Sequence, residues 1–280
     1  MKGWLLRITI NDVVNIPYNA VVETLTDFIK SFVNGVGASK VVMGLSGGLD
    51  SSTLLALLTE ALSSDKVVAL IMPDSRATPQ EDVEDAVKLA EHFGVEFHVF
   101  YIDRIVDAYS AVPFVEVRED IVTGNLRARV RMNILYYYAN KHGALVAGSS
   151  DRSELLIGYF TKYGDGAADF LPLGCLYKTQ VRELARRIGL PGRIVDKPSA
   201  PRLFRGHTAH GELGYTYDEI DLALYALFDL GLSVEEAVEA TGLTYELFEK
   251  ILRMHRSSRH KRITPKIPVL PWLPQVLREL

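Results

Sequence analysis

The most informative absences in this 280-residue sequence concern cysteine, long apolar runs and net charge. Cys175 is the single cysteine, which excludes an intrachain disulfide and a cysteine-based zinc site and suits a reducing, cytoplasmic location. No stretch stays apolar and uncharged long enough to span a bilayer. The first 14 residues contain too short an apolar run for a signal peptide. The net charge of −4 argues against a chain that coats nucleic acid along its length.

What the chain does contain is a regular alternation of apolar strands and amphipathic helices. The predicted strands are 40–45, 66–73, 95–102 and 144–150, and the predicted helices are 18–34, 52–62, 78–94 and 125–143. The strand segments are apolar on both faces, which is typical of strands in a parallel sheet that is covered on both sides. This pattern predicts an α/β fold in which a doubly wound, Rossmann-like parallel sheet is covered by helices on both sides.

The pattern changes after residue 150, where loops and helices replace the strands. Residues 158–178 and 196–214 have no periodicity and predict loops. The helices predicted in this part are 178–189, 216–231, 233–242 and 244–260. We therefore expect one domain over residues 1–262, with a small helical C-terminal extension that starts at about residue 216, followed by a proline-containing tail at 263–280.

A glycine- and serine-rich loop follows the first predicted strand in the stretch VVMGLSGGLDSS, residues 41–52. Backbone N–H groups at the start of the next helix are unpaired and favour an anion. Gly47 and Gly48 permit a ligand to approach the backbone closely. Three serines add hydroxyl donors: Ser46, Ser51 and Ser52. The loop has no lysine and matches neither G-x-x-x-x-G-K-[ST] nor G-x-G-x-x-G, so it predicts a different kind of phosphate site.

Asp50 lies inside this loop, where an acid would repel a phosphate unless a cation lay between them. It is therefore interpreted as a ligand of a Mg²⁺ ion that bridges to phosphate oxygens. The alternative is a plain glycine turn with an N-capping aspartate. The pattern S-G-G-x-D-S between an apolar strand and a helix resembles the N-type ATP pyrophosphatases, which adenylate a carbonyl or carboxyl oxygen. That resemblance implies that the loop holds pyrophosphate.

Other segments distinguish among the enzymes that share this motif. These are GMP, asparagine, argininosuccinate, lysidine and NAD synthetases and the tRNA-modifying thiolases. Residues 153–185, SELLIGYFTKYGDGAADFLPLGCLYKTQVRELA, strongly resemble the NAD synthetase family. The segments 125–133, 196–200, 212–221 and 259–262 occur where that family has matching segments. The resemblance extends from about residue 20 to residue 262 and implies an adenine nucleotide alpha hydrolase-like fold.

The resemblance also implies an activity. Family members amidate deamido-NAD (nicotinic acid adenine dinucleotide) to NAD with ATP and Mg²⁺, through an NAD-adenylate, and release AMP and pyrophosphate. This is the last step of NAD biosynthesis, and the family is homodimeric. A chain of this length has no room for a glutamine amidotransferase domain beside the synthetase. We therefore expect ammonia to be used directly or to come from a separate subunit.

Individual residues receive roles from the same resemblance. The implied catalytic residues are Asp50, Glu154, Asp165 and Lys178, of which the first two are the implied Mg²⁺ ligands. The implied ATP-binding residues are Leu45, Ser46, Gly47, Gly48, Leu49, Asp50, Ser51, Ser52, Ser149, Lys178 and Ser199. The implied deamido-NAD-binding residues are Arg129, Lys162, Asp169, His260 and Lys261. Asp165 lies where the family receives ammonia, and Leu45 is expected to line the adenine pocket with residues 70–73.

The sequence departs from the family in the loop at 201–214. The family usually has an acidic loop there, whereas Glu212 is its sole acid in this chain. The loop contains four basic or titratable residues, Arg202, Arg205, His207 and His210. We predict a flexible lid, because two histidines without a neighbouring ligand are a weak metal site. Cys175 is predicted to be a small buried side chain.

Two other functions fit parts of the chain. The first is a tRNA-modifying or other nucleic-acid-binding N-type ATP pyrophosphatase, because residues 251–266 are basic and follow helices that resemble a helix-turn-helix. That cluster consists of Arg253, Arg256, Arg259, Lys261, Arg262 and Lys266. It suits the pyrophosphate of deamido-NAD equally well, and a thiolase would need cysteines to carry sulfur. The second is a non-catalytic nucleotide sensor. Neither nucleic acid nor a membrane is the expected partner.

Overall fold

A computed structural model describes residues 7–118, 120–268 and 272. Residues 1–6, part of the segment in which no signal peptide is predicted, and most of the predicted tail at 263–280 lie outside this description. The described strands are β1 (Lys40–Gly44), β2 (Val67–Ile71), β3 (Glu96–Val99) and β4 (Ala144–Ala147). The described α-helices are α1 (Ile10–Val14), α2 (Tyr18–Val36), α3 (Leu49–Leu62), α4 (Gln80–Phe93), α5 (Asp103–Ala108), α6 (Ile121–His142), α7 (Arg152–Ile157), α8 (Lys178–Arg187), α9 (Gly192–Val195), α10 (Ala209–Leu213), α11 (Tyr217–Leu224), α12 (Val234–Thr241), α13 (Tyr245–Ser257) and α14 (Arg259–Arg262).

The four described strands form one parallel sheet in the order β3-β2-β1-β4. Val42 of β1 pairs with Val68 on one side and with Val146 on the other. The chain therefore runs outward from β1 through β2 to β3, then returns to the opposite side of β1 for β4. The strand order reverses between β1 and β4, and open parallel sheets bind ligands at the carboxyl ends of strands at such a point. The predicted doubly wound sheet is confirmed.

Helices cover both faces of the sheet. Val41 and Met43 contribute to a core with α2, α3, α4 and α8, whereas Val42 contributes to a second core with α5 and α6. All three side chains are fully buried. Since successive β1 side chains point to opposite faces, both faces must be apolar, which explains the uninterrupted apolar run.

Some element boundaries differ from the prediction. α3 begins at Leu49 rather than at residue 52, so Asp50 lies in its first turn. β3 is shorter than the predicted 95–102, and its His98 and Val99 are exposed because it forms an edge of the described sheet. α6 begins at Ile121, where the side chain of Asp120 accepts a hydrogen bond from the Thr123 N–H.

The C-terminal helices form a separate core beside the sheet. α11, α12 and α13 pack with α1 and α7 around Ala223, Leu247 and Phe248. The predicted loop at 196–214 contains α10, a five-residue helix capped by Thr208, which is too short to produce a periodic pattern. Among the described residues, no helix is both long enough and apolar enough to cross a membrane.

Candidate active site

A cavity of about 750 Å³ opens at the carboxyl ends of β1 and β4. Its walls come from the loop after β1, the end of β2, α6, the segment after β4, residues 197–203 and the start of α14. The volume is that of a site for a drug-sized or nucleotide-sized ligand. The cavity lies at the switch point of the sheet, where open parallel sheets bind ligands.

The loop after β1 is held by its own serines. Gly48 caps the start of α3, and its carbonyl accepts a hydrogen bond from Ser52 Oγ at 2.6 Å. Ser46 Oγ lies 3.0 Å from Ser51 Oγ. Gly47 has a φ of +73°, and a Cβ there would lie 2.2 Å from the Asp82 carbonyl oxygen. Glycine is therefore required, because the loop lies directly on the first turn of α4.

Most of the predicted loop residues line the cavity, but two do not. The lining residues are Leu45, Ser46, Gly48, Leu49, Asp50 and Ser51. Ser52 is fully buried with its hydroxyl on the Gly48 carbonyl, and Gly47 faces α4. These two residues shape the turn. Ser149, Ser199 and Asp165 line the cavity as well, and the Asp165 carboxylate accepts a hydrogen bond from the Thr161 N–H at 2.9 Å.

An acidic cluster with a lysine at its centre lies beside the loop. One carboxylate oxygen from each of Asp50, Asp151 and Glu154 lies within 4.8 Å of the others. Lys178 Nζ lies 2.7 Å from Asp50 Oδ2, 2.7 Å from Asp151 Oδ2 and 2.8 Å from Glu154 Oε1. The loop that lacks a lysine therefore has one beside it, supplied by the first residue of α8.

Sequence reasoning missed Asp151. This residue is completely buried, and its Oδ1 caps α7 by accepting the Glu154 N–H at 2.8 Å. Its signal was available, because Asp151 follows β4 at the same sheet edge, three residues before the predicted ligand Glu154. An acid at a helix N-cap usually has a structural role, and for this reason the sequence pattern did not identify Asp151 as a site residue.

The cluster carries a formal charge of −2, since one ammonium faces three carboxylates. Burial acts to lower the pKa of Lys178, but Asp151, Asp50 and Glu154 outweigh it and raise that pKa well above its usual value. Burial raises the pKa of Glu154 well above its ordinary value against the effect of Lys178, and the neighbouring Asp151 and Asp50 carboxylates add to the rise. A divalent cation would neutralise the remaining charge.

The residues present fit such a cation. Asp50 Oδ1 is buried and has no hydrogen-bond partner among the described residues. A buried carboxylate oxygen without a partner is costly unless something binds it. The three ligands are all carboxylates, which are the hard oxygen donors that Mg²⁺ prefers.

A second layer of polar contacts fixes the start of α8. Ser153 Oγ accepts the Lys178 N–H at 2.9 Å and donates to Asp221 Oδ1 at 2.5 Å. The Thr179 N–H donates to Asp221 Oδ2 at 2.8 Å. Asp221 is completely buried on α11, and burial raises its pKa to about 7. The C-terminal helices thereby set the position of Lys178.

The residues predicted to bind deamido-NAD lie at the mouth of the cavity or outside it. His260 and Lys261 line the mouth, and Lys261 Nζ donates to the carbonyls of residues 158 and 160 at 2.8 Å each. Lys162 Nζ lies 3.5 Å from His260 Nδ1, and Arg129 Nε donates to the Lys162 carbonyl at 3.3 Å. These four basic residues form one group.

Asp169 is placed apart from that group. Its Oδ2 accepts the Val146 N–H of β4 at 2.7 Å, and its Oδ1 accepts from the Tyr136 hydroxyl at 3.2 Å. It is exposed beside the sheet edge. The structure therefore does not bring all five predicted residues into a single contact set.

Several side chains are placed differently from what their residue types suggest. Arginines on one helix are usually solvated, yet Arg127 is completely buried and Arg131 Nε donates to the Met72 carbonyl at 2.8 Å. Cys175 is exposed, so the prediction of a buried side chain is wrong. His207 is buried, stacks on Phe204 with a centroid separation of 4.3 Å and lies 2.7 Å from Glu212 Oε2.

Comparison with known proteins connects this chain to a family. The sequence model of NAD synthase matches residues 21–265. The chain belongs to the NAD synthase family. A relative from Staphylothermus marinus, described as an NH(3)-dependent NAD(+) synthetase, is 53% identical over 273 residues, which are 98% of this chain and 99% of that protein. The resemblance seen in residues 153–185 is confirmed.

Two solved structures share the fold. One is NMN synthetase from Francisella tularensis, which is 32% identical, has a TM-score of 0.80, and covers 91% of this chain and 100% of its own. The other is NH3-dependent NAD synthetase from Campylobacter jejuni, which is 31% identical, has a TM-score of 0.76, and covers the same shares. The predicted adenine nucleotide alpha hydrolase-like fold is confirmed.

The same comparisons favour this family over the nucleic-acid alternative. Two cations of the basic stretch at 251–266 are also turned inward. Arg262 Nη1 donates to the carbonyls of Leu155 and Leu156 at 3.2 Å each, and Lys261 binds carbonyls at the mouth of the cavity. The stretch is therefore not a uniform basic face for a phosphate backbone.

Proposed function

We propose that the chain is an ammonia-dependent NAD synthetase, a ligase that forms the amide C–N bond of NAD from deamido-NAD. ATP adenylates the nicotinic acid carboxylate, pyrophosphate leaves, and ammonia then displaces AMP. One observation carries the proposal: a lysine and three carboxylates meet beside a glycine–serine loop at the switch point of the sheet. The chain's membership of the NAD synthase family supports it.

ATP is proposed to lie in the cavity with its phosphates against the loop after β1. Ser46, Gly48 and Ser51 face the cavity there, while Leu45 and Met72 line the part assigned to adenine. The first step brings a carboxylate to a phosphate, so positive charge must be present where the two anions meet. Lys178 contributes one positive charge, because its high pKa keeps it protonated at neutral pH, but its three carboxylate neighbours leave the cluster at a formal charge of −2.

Mg²⁺ is the proposed companion of ATP. Asp50 and Glu154 would hold it, with Asp151 as a third carboxylate beside them. When bound, it would supply positive charge and orient the phosphates.

The second step needs neutral ammonia, because ammonium has no lone pair for attack. We assign the capture of ammonium and the removal of its proton to Asp165, whose carboxylate lies at the cavity and is oriented by the Thr161 N–H.

Deamido-NAD is proposed to extend from the cavity across the cationic group that includes Arg129 and Lys162. Arg129 and Asp169 are exposed, so a second copy of the chain would complete their surroundings in a homodimer. Tyr137 on α6 and Phe28 on α2 have 71% and 44% of their surface exposed and suit such an interface. Sedimentation should give a dimer.

A cytoplasmic location and the division of the chain into a domain at 1–262 and a tail at 263–280 stay predictions.

The deciding experiment supplies the purified chain with deamido-NAD, ATP, Mg²⁺ and either ammonia or glutamine. NAD, AMP and pyrophosphate are expected with ammonia, and no NAD with glutamine alone. A protein that releases no NAD with ammonia would contradict the proposal. Release of neither AMP nor pyrophosphate would favour the nucleotide sensor, and salt-sensitive tRNA binding without NAD formation would favour the nucleic-acid alternative.

A second acceptor is tested in the same assay. The likeness to NMN synthetase from Francisella tularensis makes nicotinic acid mononucleotide a candidate substrate. Comparing kcat/KM for the two acids decides between them, and we expect deamido-NAD to be preferred, since the curated relative of almost equal length is an NAD(+) synthetase.

A further inference from the structure

Lys197 reaches the ATP loop from a distant segment of the chain. Its Nζ lies 3.0 Å from the Gly47 carbonyl oxygen, 2.9 Å from Asp82 Oδ1 and 2.8 Å from Asp85 Oδ2. The side chain is 15% exposed, and both aspartates lie on the inner face of α4. All three ammonium donors therefore have an acceptor, and one of these acceptors is the backbone of the loop.

The same contact network includes the atypical basic loop. Arg202 Nε donates to Asp82 Oδ2 at 3.0 Å, while Lys197 occupies Oδ1 of the same carboxylate. Asp82 is also the residue whose carbonyl lies against Gly47. Arg202, which lies where the family usually has acids, thus pairs with the first turn of α4, and together with Lys197 it fastens residues 197–202 next to the loop.

The geometry points to Lys197 as a positioning residue for ATP. A trans peptide directs its C=O and the following N–H to opposite sides. When Lys197 holds the Gly47 carbonyl toward α4, the Gly48 N–H is directed to the opposite side, where it donates to Ser46 Oγ at 3.3 Å and where Gly48 and Ser46 line the cavity wall. Ser199, an implied ATP contact, lies two residues after Lys197. This inference rests on the proposed function, since it assigns ATP phosphates to the part of the wall that Ser46 and Gly48 form.

The test replaces Lys197 and compares ATP binding with binding of the acceptor. Lys197→Met should weaken ATP about tenfold or more, in Kd and in KM, because one charge-assisted hydrogen bond to the loop is lost. The KM for deamido-NAD should change by less than about twofold, since Lys197 does not touch the group at the cavity mouth. A structural defect would raise both values together.

Arg193→Met is the matched control. Arg193 Nε pairs with Asp85 Oδ1 at 2.8 Å from the solvent side, with 54% of its side chain exposed, and no contact to the loop is described for it. The substitution removes a cation from Asp85 without removing a described contact to the loop, so ATP binding should stay at the wild-type value. ATP affinity that falls equally in both variants, or in neither, would overturn the assignment.

Calorimetry with ATP and Mg²⁺ separates this inference from the proposed function, because it needs no turnover. A wild-type protein that binds ATP without making NAD would contradict the proposed function, while the Lys197 comparison would still be decided by Kd. If Lys197→Met does not fold, Lys197→Gln serves, since it removes the charge and shortens the reach. Folded Lys197→Gln with wild-type ATP affinity would likewise overturn the assignment.

Discussion

Arg127 and Arg129 lie two positions apart on α6 and should have opposite roles. Arg127 is completely buried; its Nε pairs with Asp74 Oδ2 at 2.9 Å and its Nη1 donates to the Leu203 carbonyl at 2.7 Å. Arg129 is exposed, since a separation of two residues turns it to the other side of the helix. Arg127→Met should therefore reduce stability, whereas Arg129→Met should reduce binding.

The expected loss of stability depends on the partners that Asp74 keeps when Arg127 is replaced. Removing one partner of a buried ion pair costs about 3–5 kcal/mol when the other charge is left alone. Here Arg76 continues to hold both Asp74 oxygens, at 2.9 and 2.8 Å, so we expect the lower end, about 3 kcal/mol. For a chain near this size each kcal/mol shifts Tm by about 2–4 °C, so Tm should fall by roughly 6–12 °C.

Arg129→Met is the control and has a second readout. Its described hydrogen bond, to the Lys162 carbonyl at 3.3 Å, is long, so Tm should stay within about 2 °C of the wild-type value. Its KM for deamido-NAD should rise about tenfold, because a charge-assisted contact is lost. Scanning calorimetry and steady-state kinetics measure both effects. Equal Tm values for the two variants, or unchanged deamido-NAD binding in Arg129→Met, would refute the division of roles.

Three further substitutions test the centre of the site. Gly47→Ala should abolish ATP binding in calorimetry, because residue 47 has a φ of +73° and the alanine Cβ would lie 2.2 Å from the Asp82 carbonyl oxygen. Wild-type ATP affinity would show that the loop has another conformation. Asp50→Asn should weaken Mn²⁺ binding by at least about tenfold, because a charged ligand is lost. Electron paramagnetic resonance measures this binding, and undiminished binding would exclude Asp50 as a ligand. Burial raises the pKa of Asp221 from 3.8 to about 7, so the stability that its neutral form contributes is complete below pH 4 and is lost as pH rises through 7. Asp221→Asn should therefore give a flatter urea-stability profile between pH 5 and 8, and an unchanged slope would assign the dependence elsewhere.

The fold was largely predictable because its elements carry local signals. The periodic apolar pattern located α2 within two residues of its end, and Gly94, with a φ of +63°, ends α4 as the sequence indicated. The start of α3 was misplaced because Asp50 and Ser51 have the composition of loop residues. In the structure the Ser52 hydroxyl bonds back to the Gly48 carbonyl within the first turn of the helix, which no propensity scale describes.

The site was predictable only where chemistry and position coincide. Asp50 and Glu154 follow apolar strands, so sheet topology alone brings them to one edge. Lys197 meets the loop across 150 residues of sequence, and no local pattern connects it with Gly47. The arginines of α6 show the same limit, because a charge pattern cannot reveal that Asp74 accepts one of them in the core.

The absence of a lysine from the loop after β1 has a structural explanation. In a loop that contains its own lysine, the strand and helix around it are enough to place the charge. Here Lys178 lies 128 residues from Asp50, and its backbone N–H is bound by Ser153, which in turn donates to Asp221 of α11. Since Asp221 also accepts the N–H of Thr179, the start of α8 is fixed from the helical part. Asp221 of α11 therefore acts together with the packing of Val181 and Leu184 in the sheet core to place Lys178 at the loop.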